Sequence, residues 1–129
     1  MNLSDEEKEV KKQEFIEIAD NMKVKVAENA VMLLAYINNS SKTFVFFDIA
    51  MKYVTENADK INKKDFHDFY LYKDRNGKKG YDKGTAAPQH NNYLNLFLLF
   101  KILIPNTSGG YSLNPNSIML EKIRAKMYI

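Results

Sequence analysis

The sequence predicts a mainly α-helical domain with one small β-hairpin. Three observations carry that prediction. Apolar residues recur every three or four positions, as in Ala27, Ala30, Val31, Leu34 and Ile37, the period of a helix with one buried face. Turn formers and caps such as Ser4-Asp5-Glu6-Glu7, Asn38-Asn39-Ser40-Ser41 and Asn114-Pro115 punctuate these stretches. The segment PNTSGGYSL at 105–113 reads instead as a tight turn and a returning strand.

The chain has 129 residues, the size of one domain with one core. Its 45% hydrophobic and 27% charged residues are those of a globular protein and not of a disordered one. It has no cysteine, which excludes a disulfide framework and a thiolate zinc site. The start MNLSDEEKEV is acidic and lacks the apolar region of a signal peptide. The apolar run at 96–104 is broken by Lys101 and is too short to span a bilayer. A cytoplasmic protein with no membrane partner is the expectation.

The net charge of +3 is unevenly distributed. Residues 1–22 hold seven acids and three lysines, a local charge of −4, whereas residues 23–129 hold 16 basic and nine acidic side chains, or +7. A basic body beside an acidic helix points to a polyanionic partner.

Taken in order, Ser4 opens a first helix running to about Met22, with Phe15, Ile18, Ala19 and Met22 inward. A second runs from about Lys25 to Asn38. Thr43-Phe44-Val45-Phe46 has the β-branched and aromatic character of a short strand. Asp48 then caps a third helix with Ile49, Ala50, Tyr53 and Val54 inward. Asn62 or Asp65 starts a fourth, whose apolar side is Phe66, Phe69 and Tyr70.

Residues 73–85, KDRNGKKGYDKGT, break the pattern. They hold five basic and two acidic residues with Gly77, Gly80 and Gly84, and read as a basic loop. The order GxxxxGK[ST] is missing, so this is no P-loop. A fifth helix is expected to begin near residues 88–91 and reach about Ile104. A turn of about 100° per residue places Asn91, Asn92 and Asn95 in one polar arc and Tyr93, Phe97, Phe100 and Ile104 opposite. Pro105 stops that helix, 106–110 make the turn, and Tyr111-Ser112-Leu113 return. Asn114-Pro115 starts a final helix, with Ile118, Ile123 and Met127 inward and Lys122, Arg124 and Lys126 outward.

The run Asn91-Asn92-Tyr93-Leu94, the apolar 98–104 and the wing-like 106–113 follow a helical core with a short strand. In that pattern the chain resembles the winged helix-turn-helix family of DNA-binding domains. The resemblance covers residues 26–115, a winged-helix-like core with extra helices at 1–22 and 116–129, all in one domain. A compact helix-turn-helix joins its helices by three or four residues. About 30 separate the third helix here from the fifth, so either 63–72 supplies the first helix of the pair or the basic loop is an insertion.

The resemblance implies double-stranded DNA as partner. Gln89, Asn91, Asn92 and Asn95 would meet base edges, since a carboxamide can pair bidentately with adenine. Lys73, Arg75, Lys78, Lys79 and Lys83, with Thr107, Ser108 and Tyr111 of the wing, would meet the phosphate backbone. The plainer reading is that the chain is rich in asparagine, with 14, and that exposed amides simply keep it soluble.

Catalytic and metal chemistry find little support. Asp65, His67 and Asp68 do not share one helix face, His90 is isolated, and no nucleophile elbow occurs. No enzyme, cofactor or metal is expected. The resulting expectation is a sequence-specific DNA-binding homodimer, a repressor or a plasmid or phage partition adaptor, with the terminal helices as dimer elements and a second protein as a further partner. The alternative is a protein-binding module on the same fold, such as a small phage or plasmid inhibitor, using Leu99, Tyr81 and the acidic first helix.

Overall fold

A computed structural model describes residues 4–18, 24–38, 45–71 and 80–127, with side chains at 15–18 excepted. Among them are six helices and one hairpin: α1 (Asp5–Ile18), α2 (Val24–Asn38), α3 (Val45–Glu56), α4 (Lys63–Leu71), α5 (Lys83–Leu99), β1 (Leu103–Pro105), β2 (Tyr111–Leu113) and α6 (Ile118–Met127). The mainly α architecture with a small antiparallel hairpin is the expected one. The expected extension of the first helix over 19–22, and its inward residues, lie outside the described set.

α5 is the central element, packed on α2, α3, α4 and β1, while α1 and α6 both lie against α2. The core follows from that arrangement. Phe47 of α3 meets Tyr93 and Phe97 of α5 and Tyr36 of α2, with centroids 6.2, 6.3 and 6.2 Å away. A second aromatic stack joins α3 to α4, with Tyr53 and Phe66 rings 4.8 Å apart and Phe66 and Tyr70 5.8 Å apart. Two phenols tie these helices to the backbone. Tyr53 Oη lies at the Asn62 main chain, and Tyr70 Oη donates to the Phe46 carbonyl at 2.9 Å. On α2 the deepest stripe includes Val26 and Leu33, whereas Leu34 and Ile37 are half-buried, because α2 is covered from three sides.

The helix starts are capped by polar side chains. Glu7 N–H donates to Ser4 Oγ at 3.1 Å, and Asp5, Glu6 and Glu7 place negative charge at the positive end of α1. Asn62 caps α4: its Oδ1 accepts from Asp65 N–H at 2.9 Å while its Nδ2 donates to Asp65 Oδ2 at 2.8 Å. α6 is capped by Ser117, whose Oγ accepts from Leu120 N–H at 3.0 Å. It therefore begins three residues later than expected. Asn114 and Pro115 lie in the turn before it, where Asn114 Oδ1 accepts from Asn116 N–H. Leu120 and Ile123 are buried, so α6 closes the core of its own chain, and Ile118, expected inward, is 70% exposed.

Three further expectations are corrected. Val45 and Phe46 are helical, not a strand, and α3 starts ahead of Asp48, because Phe46 and Phe47 point into the aromatic core. α5 begins at Lys83, capped by Asp82, whose Oδ1 accepts from Thr85 N–H at 2.9 Å. Pro88 thus lies inside the helix and not at its start. At the other end α5 stops at Leu99. Ile102 N–H donates to Phe97 C=O at 2.8 Å and Lys101 N–H to Leu98 C=O at 3.1 Å, with Lys101 at φ 56°. This is a Schellman turn with lysine where glycine is usual. Leu103 and Ile104 then become strand, and Pro105 ends β1 and not a helix.

The hairpin pairs Leu103 with Leu113, Ile104 with Ser112 and Pro105 with Tyr111. Asn106 organises its turn. Its Oδ1 accepts from Ser108 N–H and Gly110 N–H at 3.0 and 3.1 Å, and its Nδ2 donates to Ser112 Oγ and the Asp59 carbonyl. Asp59 belongs to the turn between α3 and α4 that leads into Ile61 beside β2. Ile61 and Tyr111 exchange N–H···O=C bonds of 3.1 and 2.8 Å, and Leu113 N–H donates to Ala58 C=O. No strand forms at the expected position: Val45 and Phe46 are helical, and Thr43 and Phe44 lie outside the described residues.

Candidate functional site

The expected polar front of α5 is only partly open. Gly84, Ala87, Pro88, Asn91, Asn95, Leu98 and Leu99 fall on one ridge at about 100° per residue, and Asn95 is exposed with Asn91 partly so. Asn92 is 7% exposed and packs inward, so it leaves the candidate base-contacting set. Gln89 is half-buried and projects on the side of Asn92, Tyr93 and Leu96, away from Asn91 and Asn95. The physical reason is the burial of α5 by three helices and a strand, which leaves a narrower polar arc than a helix packed from one side.

Of the expected phosphate-contacting residues, Lys73, Arg75, Lys78 and Lys79 lie outside the described residues. Lys83 is exposed in the first turn of α5. Thr107 and Ser108 are exposed at the hairpin tip, where Gly109 adopts φ +85°. Tyr111 is half-buried against the core and bound through its main chain to Ile61, so it supports the hairpin from behind and is not displayed at its tip. Tyr81, expected at a protein-binding face, packs on Phe46 with centroids 5.0 Å apart.

The structure adds exposed cations that lie outside the basic run at 73–83. Lys60, Lys63, Lys64 and Lys101 are exposed and, with Lys83, make no ion pair among the described residues. Nearby carboxylates serve other partners: Asp65 the Asn62 amide, Asp82 the Thr85 N–H, and Asp68 the His67 ring. These lysines are therefore not held in fixed ion pairs, although Asp65, Asp68 and Asp82 balance the charge of α4 and α5 overall. Lys63 and Lys64 sit in the first turn of a helix and Lys83 in another, where the macrodipole disfavours cations. That position after a capping residue was the available signal.

The histidines also differ from expectation. His90 is not isolated: its ring lies 5.1 Å from that of His67, across the α4–α5 contact. The residues are 23 positions apart in sequence, so no local spacing pattern reports the meeting. Burial, aided by the charges of His67 and Lys63, holds the His90 imidazole below the usual histidine range. Tyr93, deep in the core, has its phenol pushed far above the usual range by burial.

Among the described residues no helix is long and apolar enough to cross a membrane, and no group of three metal-ligating side chains forms. Comparison with known proteins finds no matching family model, no similar curated protein and no similar solved structure.

Proposed function

We propose that the protein is a cytoplasmic double-stranded DNA-binding protein of the winged helix-turn-helix kind, acting as a homodimeric repressor or partition adaptor. The observation that carries this reading is the order α3, Ile61 bridge, α4, α5, hairpin, with α4 packed along α5 and α5 leading directly into the hairpin. In this reading α4 and α5 are the helix pair and 106–110 is the wing. The eleven residues at 72–82 make the connection longer than in a compact helix-turn-helix.

The recognition residues are Asn91 and Asn95. They lie one turn apart, a rise of about 6 Å along α5, enough to address neighbouring base pairs in a major groove. Lys60, Lys63, Lys64, Lys83 and Lys101 supply phosphate contacts, which add affinity without sequence information. The basic side chains at 73–79 belong to the same proposal. The wing itself has no cation between residues 102 and 121, so Thr107 and Ser108 touch the duplex by hydrogen bonding only.

The test is binding to unrelated duplexes across a salt series. Affinity is expected to fall linearly on logarithmic axes, and Lys63→Ala with Lys64→Ala to reduce the slope by about 2. In a selected site, Asn91→Ala with Asn95→Ala is expected to remove site preference and leave the general binding. Absence of duplex binding at low salt refutes the reading.

A protein-binding role is the second reading, favoured by large apolar side chains left in the open. Val10, Val24, Met32, Val45, Ile104 and Ile118 are each exposed by more than a third. A homodimer would use part of this set, α1 and the outer face of α6 being the elements not needed around the helix pair.

A further inference from the structure

The chain has two histidines, and the packing of α4 on α5 brings them together. Their ring centroids are 5.1 Å apart and their planes 85° apart. Each ring has one nitrogen already engaged. His67 Nδ1 lies 3.0 Å from Asp68 Oδ1, and His90 Nδ1 lies 2.9 Å from the Ala86 carbonyl oxygen. Both partners accept hydrogen bonds, so Nδ1 carries the proton in each neutral ring and the lone pair is on Nε2.

A carboxylate or carbonyl behind the ring, fixing its tautomer and orientation, is what ligating histidines have around a metal ion. Two imidazoles on one tetrahedral ion, at metal–nitrogen distances of about 2.1 Å, place their ring centres about 5 Å apart. The observed separation fits that value.

We propose that His67 and His90 are the two protein ligands of a late first-row divalent ion such as Zn²⁺ or Ni²⁺, held across the α4–α5 seam. Asp68 is a positioning residue that acts through His67. Among the described residues no third ligating side chain joins them. Water fills the other positions, and the site is open and exchangeable, unlike a closed structural zinc site. With no cysteine in the chain, no thiolate competes for the ion. Lys63, one helical turn before His67 and close enough to act on His90, is the group that opposes the cation. The site needs only α4 and α5 and is independent of any nucleic acid.

The experiment uses the wild-type protein after chelator treatment, with the two histidine Hε1 resonances followed by NMR during a Zn²⁺ titration. Both are expected to move together and saturate, and Mg²⁺ is expected to move neither. Calorimetry with Ni²⁺ reads the variants. His67→Gln and His90→Gln should each weaken binding at least tenfold. Asp68→Asn should weaken it about tenfold with the melting temperature of the metal-free protein unchanged. Lys63→Met should tighten it severalfold. A Zn²⁺ response confined to one histidine, no saturable response, or Ni²⁺ affinity unchanged in both histidine variants overturns the proposal. The wild-type spectrum decides the matter even where a variant does not fold.

Discussion

Gly109 and Gly110 are neighbours in one turn, yet they are glycine for different reasons, and substituting each with alanine separates those reasons. A Cβ on Gly109 would meet nothing within 4 Å, but its φ of +85° is disfavoured for any other residue. Gly110 has no such backbone angle, and a Cβ there would run into the Ile61 carbonyl. Gly110→Ala must therefore push the Ala58–Ile61 segment off β2. Two Ile61–Tyr111 backbone bonds, each worth about 1 kcal/mol net, are then lost or strained. Ile61, 1% exposed, would give up part of the roughly 1.5–3 kcal/mol that full burial of its side chain provides. The expected destabilisation is about 2–4 kcal/mol, against about 1 kcal/mol for Gly109→Ala, where only the left-handed backbone is penalised. Urea melts of both variants measure the difference. Hydrogen exchange should show lost protection at the Ile61 and Tyr111 amides in Gly110→Ala alone. Equal melts for the two variants, with both amides still protected, would refute the account of Gly110 as the point where Ile61 closes on Tyr111.

Other substitutions test other joints. Lys101→Gly should stabilise by about 0.5–1 kcal/mol in thermal melts, since relief of the left-handed backbone at φ 56° outweighs the entropy of an added glycine. Pro88→Ala should raise stability by about 1–2 kcal/mol. Alanine restores a helical donor toward the Gly84 carbonyl, and the gain of up to about 3 kcal/mol is offset by the freer unfolded chain. Among the described residues, Asn29 Nδ2 is buried without a hydrogen-bond partner, at an expected cost of about 1–3 kcal/mol. Asn29→Leu, similar in shape, should therefore raise the urea midpoint, and a lower midpoint would mean that the amide has a partner. The fifth test is acidification. The His90 pKa is lowered in the fold, chiefly by burial, with opposing help from the Ala86 carbonyl and further lowering by His67 and Lys63. The unfolded chain then binds the proton first, so this contribution is complete above about pH 6.5 and is lost as pH falls through the folded value. Melts in chelator at pH 7.5 and 5 should show a smaller acid loss in His90→Gln than in the wild-type protein.

The existence of all six helices and of the hairpin was legible in the sequence, because each helix shows its apolar spacing and the turn carries Asn106, Gly109 and Gly110. The ends were not. Pro88 looks like a helix start, since proline is favoured there, and Asp82 is hidden as a cap by the poor helix formers Lys83, Gly84 and Thr85 that follow it. At 98–104 an apolar run long enough for a helix is split by Lys101, with no glycine or proline at the break. Thr43 to Phe46 has strand propensity that at Val45 and Phe46 is overridden by an aromatic core, and the one pairing added to the hairpin is a single bridge at Ile61, too short to leave a period.

The candidate site was less legible for a related reason. Periodicity reports which residues share a face of one helix, but not how many other elements cover that helix. Asn91, Asn92 and Asn95 lie within one arc on a wheel, yet α5 is surrounded, and the boundary of burial falls between Asn92 and Asn91. The same packing that removes Asn92 from the surface brings His67 against His90, a contact between two helices and therefore invisible to spacing within either. A central helix can present only a ridge, so whatever it recognises must be met by few side chains on α5 and by many from neighbouring segments. That requirement places most of the binding energy of the proposed complex on the lysines of 60–64, 83 and 101 and most of its selectivity on two amides.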